Sequence, residues 1–105
     1  MKFSVTYGNV VLEDLHTIVS YLAPRNEQAA RRFIASAFAA MHGLSEMPER
    51  GSPKRFRRHG GSPIRSWGVP GFRKYVIYFV VERDEVIILA VLHGARDVRK
   101  ILRDR

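Results

Sequence analysis

Few side chains in this chain are equipped for chemistry, and most of those are cations. The four histidines, His16, His42, His59 and His93, include no pair at metal-ligand spacing and have no carboxylate cluster beside them, so no metal site is expected. There is no cysteine, which excludes a disulfide framework, a thiolate nucleophile and any Cys-containing zinc site, and fits a reducing compartment. No Ser-His-acid order stands out. His59-Gly60-Gly61-Ser62 lacks the strand-to-helix context of a phosphate-binding glycine loop. Glu13 and Asp14 are neighbours on an expected helix and point in different directions, so they do not form a general acid/base pair. No cofactor is expected.

One constellation remains. Arg65, Arg73, His93 and Arg96 all fall at the ends or edges of expected strands, and Lys54 lies in a basic stretch upstream. Metal-free RNA cleavage needs a group to deprotonate the 2′-hydroxyl, cations to stabilise the charged phosphorane, and an acid for the leaving oxygen. Histidine is the side chain suited to acid or base work near neutral pH, which puts His93 in that role. The competing reading is structural: His93 ends a strand and bonds to backbone, and Arg96 pairs with Asp97 or a neighbouring carboxylate. No second acid/base is evident, so the residues alone favour the structural reading.

The charge distribution is uneven. The net charge is +8. Residues 1–49 are nearly balanced, whereas Arg50, Lys54, Arg55, Arg57, Arg58, Arg65, Arg73 and Lys74 occupy residues 50–74 with no acid among them. The tail adds Arg96, Arg99, Lys100, Arg103 and Arg105 against Asp97 and Asp104. A field of one sign speeds encounter with polyanions or acidic proteins, and it also serves simply to keep a surface solvated.

The elements that must hold these residues follow from periodicity. A length of 105 residues is expected to make a single domain, and a hydrophobic content of 46% argues against disorder. The N-terminus has no sustained apolar stretch of the signal-peptide kind, and no apolar run approaches the roughly 18 residues that span a bilayer, so a soluble cytoplasmic protein is expected. Lys2 to Tyr7 alternates with period two and reads as a strand. After Gly8-Asn9, with Asn9 as a possible N-cap, Val11, Leu12, Leu15, Ile18, Val19 and Leu22 form one helical arc that Pro24 ends. Asn26 can cap a second helix carrying Ala30, Phe33, Ile34, Ala37, Phe38, Met41 and Leu44, which ends by Pro48 and Gly51. The short connection makes the pair an antiparallel hairpin. Gly51 to Pro63 reads as a turn-rich basic loop. Strands are then expected at about 64–69, 74–82 and 85–93, with a tight turn at Arg83-Asp84 and a last short helix over Arg96 to Leu102. The expected fold is α+β, in the order β-α-α-β-β-β, with the helical hairpin packed on a mostly antiparallel four-stranded sheet.

Taken together, these residues resemble the RelE/ParE superfamily of bacterial type II toxins. The resemblance is carried by Glu13-Asp14-Leu15 with Ile18 and Tyr21, by Ala29-Ala30 and Phe33-Ile34, and by Leu44 with Pro48 and Gly51. It continues through Arg65, Phe72-Arg73, Tyr75 to Phe79, Val86-Ile87-Ile88 and Val91 to Asp97, and so covers nearly the whole chain. RelE-like members cleave messenger RNA on the ribosome, usually with a C-terminal Tyr or His. ParE-like members poison DNA gyrase. No tyrosine follows Tyr78, and the His93-Gly94-Ala95-Arg96-Asp97 ending is similar to the ParE-like branch. The resemblance therefore implies a plasmid-stabilisation type toxin that inhibits DNA gyrase without turnover of its own. It would be held silent in a hetero-oligomer by a ParD-like antitoxin. Arg65, Arg73, Arg96, Arg99 and Arg103 would form the target-binding rim, and Val11, Phe38 and Met41 would form the antitoxin-binding margin of the hairpin. The alternative is a ribosome-dependent endoribonuclease acting on mRNA through Arg65, Arg73, His93 and Arg96.

Overall fold

The computed structural model describes residues 3–57 and 61–105, apart from the side chains of Arg55 and Phe56. Lys2 of the expected first strand, and Arg58, His59 and Gly60 of the expected basic loop, lie outside the described residues. The chain runs through β1 (Ser4–Tyr7), α1 (Val11–Leu22), α2 (Glu27–Gly43), a 3₁₀ turn (Pro48–Arg50), β2 (Ser52–Arg57), β3 (Pro63–Val69), β4 (Phe72–Glu82), β5 (Glu85–His93) and α3 (Val98–Arg103). The strands form one sheet in the order β1-β5-β4-β3-β2. β1 lies parallel to β5, and every other pairing is antiparallel. No helix among the described residues is long and apolar enough to cross a membrane.

The sheet has five strands rather than four. The extra one is β2, which pairs Ser52 with Ser66, Pro53 with Arg65 and Arg57 with Pro63, with a register shift between Pro53 and Arg57. Its proline and cations read as a loop because they are the residues an edge strand uses to blunt itself against further pairing. The other connections follow ordinary turn chemistry. Pro70-Gly71 joins β3 to β4, and Gly71 takes φ +81°, the positive angle a type II turn demands at that position. Arg83, at φ 59°, turns the chain between the paired Glu82 and Glu85.

Local signals set the helix starts. The Asn26 side chain accepts a hydrogen bond from the Ala29 N–H at 3.0 Å and caps α2. Asn9 does not cap α1: Val10 holds that position and has no side-chain cap bond. Asp97 caps α3 by accepting from the Lys100 N–H at 3.2 Å, so this helix starts two residues later than its apolar spacing implied.

The core has two halves because both faces of the sheet are covered. On one face, Val11, Leu15 and Ile18 of α1 and Phe33, Ala37 and Met41 of α2 pack on Val69, Ile77, Phe79, Val86, Ile88 and Val91. On the other, Leu102 of α3, with Val98 and Ile101, packs on Ile64, Tyr78, Val80, Leu89, Ala90 and Leu92. Double coverage explains why β4 and β5 are almost continuously apolar. A bulge in β5 sets their register: Tyr78 pairs with Ala90 but Phe79 with Ile88, leaving Leu89 as the extra residue. Leu89 and Ala90 consequently point into the same half of the core.

Candidate functional site

The bulge creates a polar problem that the helices solve. The Val91 N–H donates to Oδ2 of Asp14 at 3.1 Å, inside the core. Asp14 is only 7% exposed and receives both arms of the Arg105 guanidinium, at 2.6 and 2.8 Å. Arg105 also donates to the Leu89 carbonyl at 3.1 Å. One carboxylate and one guanidinium thus bind both the polar groups of the bulge and the end of the chain beyond α3.

Asp14 also reaches the floor of a cavity of about 350 Å³ between α1 and the end of β5. Its wall includes Ile18, Tyr21, Tyr75, Val91, His93 and Arg96. The sequence elements meet there because α1 crosses β5 and because Tyr75 pairs with His93 across β4 and β5. The rings of Tyr75 and His93 meet edge to face at 5.2 Å, and Tyr75 also meets Phe33 at 5.3 Å. Burial raises the Tyr75 phenol above its ordinary value, with Tyr21 adding to the rise and Arg25 opposing it. Arg25 stacks on the Tyr21 ring, its guanidinium carbon 3.8 Å from the centroid, and donates to the Tyr21 carbonyl at 2.6 Å.

The four candidate catalytic residues do not assemble. His93 and Arg96 share the cavity, with the Arg96 N–H bonded to the His93 carbonyl at 3.1 Å. His93 Nδ1 accepts from the Ala95 N–H at 3.0 Å, as the structural reading expects, and leaves the ring proton on Nε2. Arg96 forms no ion pair with Asp97 among the described residues; the Asp97 carboxylate is spent on the α3 cap. Arg73 is exposed near the start of β4, at the same end of the sheet, its side chain alongside Gly68. Arg65 sits elsewhere. It pairs with Phe79, which faces Ile88, five residues back from His93 along β5 and two strands away, on the order of 15 Å. Its guanidinium donates to the carbonyls of Glu49 at 3.2 Å and Gly51 at 2.5 Å, and its buried Nε has no partner among the described residues. Arg65 is therefore a bracket holding the 3₁₀ turn to β3, and it offers little of its charge to a ligand. Arg99 and Arg103 lie exposed on α3.

The expected hairpin margin divides as well. Val11 and Met41 are 0% exposed and belong to the core, so neither can meet a partner in this fold. Their positions lie at the centre of the helical arcs, facing the sheet. Phe38 is 39% exposed and packs edge to face with Tyr7 at 6.4 Å. Leu12, read as part of the α1 arc, is 67% exposed instead. Leu12 and Phe38 lie at the same end of the antiparallel hairpin, next to β1.

Comparison with known proteins places this arrangement. The family of ParE toxins of type II toxin–antitoxin systems, parDE, matches residues 5–98. No curated protein matches the chain. Among solved structures, the chromosomal ParDE TA system from P. aeruginosa is similar in fold, with TM-score 0.70 and 15% identity, covering 88% of this chain and 96% of that one.

Proposed function

Because the chain belongs to the family of ParE toxins of type II toxin–antitoxin systems, we propose that it arrests growth by binding DNA gyrase and trapping its cleaved-DNA complex, without turnover of its own. The observation that carries this reading over a nuclease is the separation of Arg65 from His93, with Arg65 occupied by its own backbone. A phosphoryl-transfer site needs its acid, base and cations on one phosphate. A binding protein needs only a presented surface, and Arg73, His93 and Arg96 present one at a single end of the sheet. That cationic end suits gyrase or its DNA.

The partner is a ParD-like antitoxin in a hetero-oligomer. The +8 chain attracts an acidic one, and the exposed Tyr7, Leu12 and Phe38 offer it an apolar margin at the foot of the hairpin. The test is supercoiling and cleavage by purified gyrase with excess toxin. Inhibited supercoiling with trapped double-strand breaks is expected, and Arg96→Ala should weaken both. Normal supercoiling with no trapped breaks would overturn the reading.

A further inference from the structure

The cavity at the end of β5 shares His93 and Arg96 with the cationic end, but its two tyrosines and its apolar lining serve neither gyrase binding nor antitoxin binding. We infer that it is a nucleotide site, in which a base enters between Tyr21 and Tyr75 and its phosphate rests on Arg96. This inference stands independently of the gyrase reading.

Size is the first argument. At about 350 Å³ the cavity is at the lower end of the range for small-ligand pockets, enough for one base and part of a sugar. The second is the wall. Two tyrosines line it together with the apolar side chains of Ile18 and Val91. Flat apolar faces of this kind hold planar rings, and stacking on an aromatic side chain contributes about 1–3 kcal/mol per base. Arg25, stacked on Tyr21, helps to fix that ring in place.

The third is the placement of unused polar groups. The His93 Nδ1 is engaged by the Ala95 N–H, so the Nε2 proton is the donor left for a base edge. The Arg96 side chain is exposed at the cavity wall and makes no hydrogen bond or ion pair among the described residues. A guanidinium in that state matches the fork of phosphate oxygens. The fourth is the floor's charge. Asp14 would repel a phosphate, but Arg105 neutralises it through two bonds. The cavity therefore combines an apolar slot with a net positive mouth, which fits an aromatic anion better than a neutral ring or a bare anion.

The same chemistry is offered by a free mononucleotide and by an unstacked base of a single strand. The experiment is a titration of the full-length ¹⁵N-labelled protein with adenosine 5′-monophosphate, followed by amide shifts. Parallel arms use adenosine, inorganic phosphate, and a short single-stranded oligonucleotide with an abasic control. Saturable shifts at Tyr21, Tyr75, His93 and Arg96 are expected with the nucleotide. Tyr21→Ala should weaken it about tenfold, with Tyr21→Phe retaining binding, since stacking needs only the ring. Arg96→Ala should weaken the nucleotide about tenfold and adenosine little. Arg83→Gly, at the opposite end of the sheet, removes the same charge and should leave binding unchanged. Tighter, cavity-centred binding of the intact oligonucleotide over its abasic control would identify a strand as the source; nucleotide binding unaffected by oligonucleotide would identify the free form. Equal binding of inorganic phosphate, an equal loss in Arg83→Gly, or no shift at the cavity at millimolar nucleotide would overturn the inference. Shifts there with an acidic peptide alone would overturn it too, in favour of a protein partner.

Discussion

Replacing Asp14 by alanine should cost more stability than any other single polar substitution on the helical hairpin. The carboxylate accepts from the Val91 N–H at 3.1 Å and from both Arg105 nitrogens at 2.6 and 2.8 Å. Orphaning a buried backbone N–H costs about 1–3 kcal/mol, and removing one partner of a buried ion pair costs about 3–5 kcal/mol. These overlap rather than add. The Arg105 side chain keeps 21% exposure, so water can reclaim it, which argues for the lower end. The expected loss is about 3 kcal/mol, roughly 12–18 °C in Tm for a domain of this size. Asp14→Asn retains an acceptor for Val91 and should lose less, about 1–2 kcal/mol. Urea and thermal unfolding of Asp14→Ala, Arg105→Ala and the double variant give the coupling energy directly, expected to exceed about 1 kcal/mol. If Asp14→Ala lies within about 0.5 kcal/mol of the parent, or the two losses simply add, the clamp is not holding the bulge.

Other outcomes follow from neighbouring features. Burial raises the phenol of Tyr78, which is 5% exposed, above the ordinary 10.0. The unfolded chain then releases this proton first, so its stabilising contribution is complete below pH 10.0 and is lost as pH rises through the folded-state value; Tyr78→Phe should flatten that alkaline loss in pH-dependent urea unfolding. Gly51→Ala would drive a Cβ into the ring of the fully buried Phe79 and should destabilise by about 1–3 kcal/mol in the same assay. Phe38→Asp should fold normally, by circular dichroism, while binding the antitoxin more weakly by calorimetry; unchanged affinity would remove the hairpin margin as the docking surface. Messenger RNA should stay intact in cells induced for the toxin, because Arg65 lies apart from His93 and is held by its own backbone; degraded messenger RNA, restored by His93→Ala, would favour the nuclease.

Element order was legible in the sequence wherever one period dominated. Each helix arc and the three long strands stood out because burial on a fixed face leaves a fixed spacing. Errors arose at the margins of those arcs. At 100° per residue, Leu12 lies about 100° from Val11 and Asp14 only about 60° from it on the other side. The apolar residue was thus farther from the buried direction than the acid, and the structure exposes Leu12 and buries Asp14. Setting Asp14 aside because it makes no acid/base pair with Glu13 missed this, although an acid inside an apolar arc signals a buried partner. That partner, Arg105, lies 91 residues away, and no local pattern could have named it. β2 was hidden for a different reason: an edge strand faces no burial constraint strong enough to remove its proline and cations.

The same geometry separates the two surfaces on which the proposed function depends. Phe38 lies about 100° off the centre of its own arc, as Leu12 does, which is why both reach solvent on neighbouring helices beside Tyr7. The cationic end lies at the far end of α1, where Tyr21, Tyr75 and His93 line one cavity. The twelve residues of α1 span roughly 18 Å. An antitoxin helix seated only on Phe38 would leave Arg73 and Arg96 open to the target. Silencing by occlusion therefore requires the bound chain to continue along α1, and about six extended residues would cover that distance. Acidic residues in that stretch would meet Arg96 and Arg73 on arrival, so charge complementarity would act at the end of the chain and apolar burial at its start.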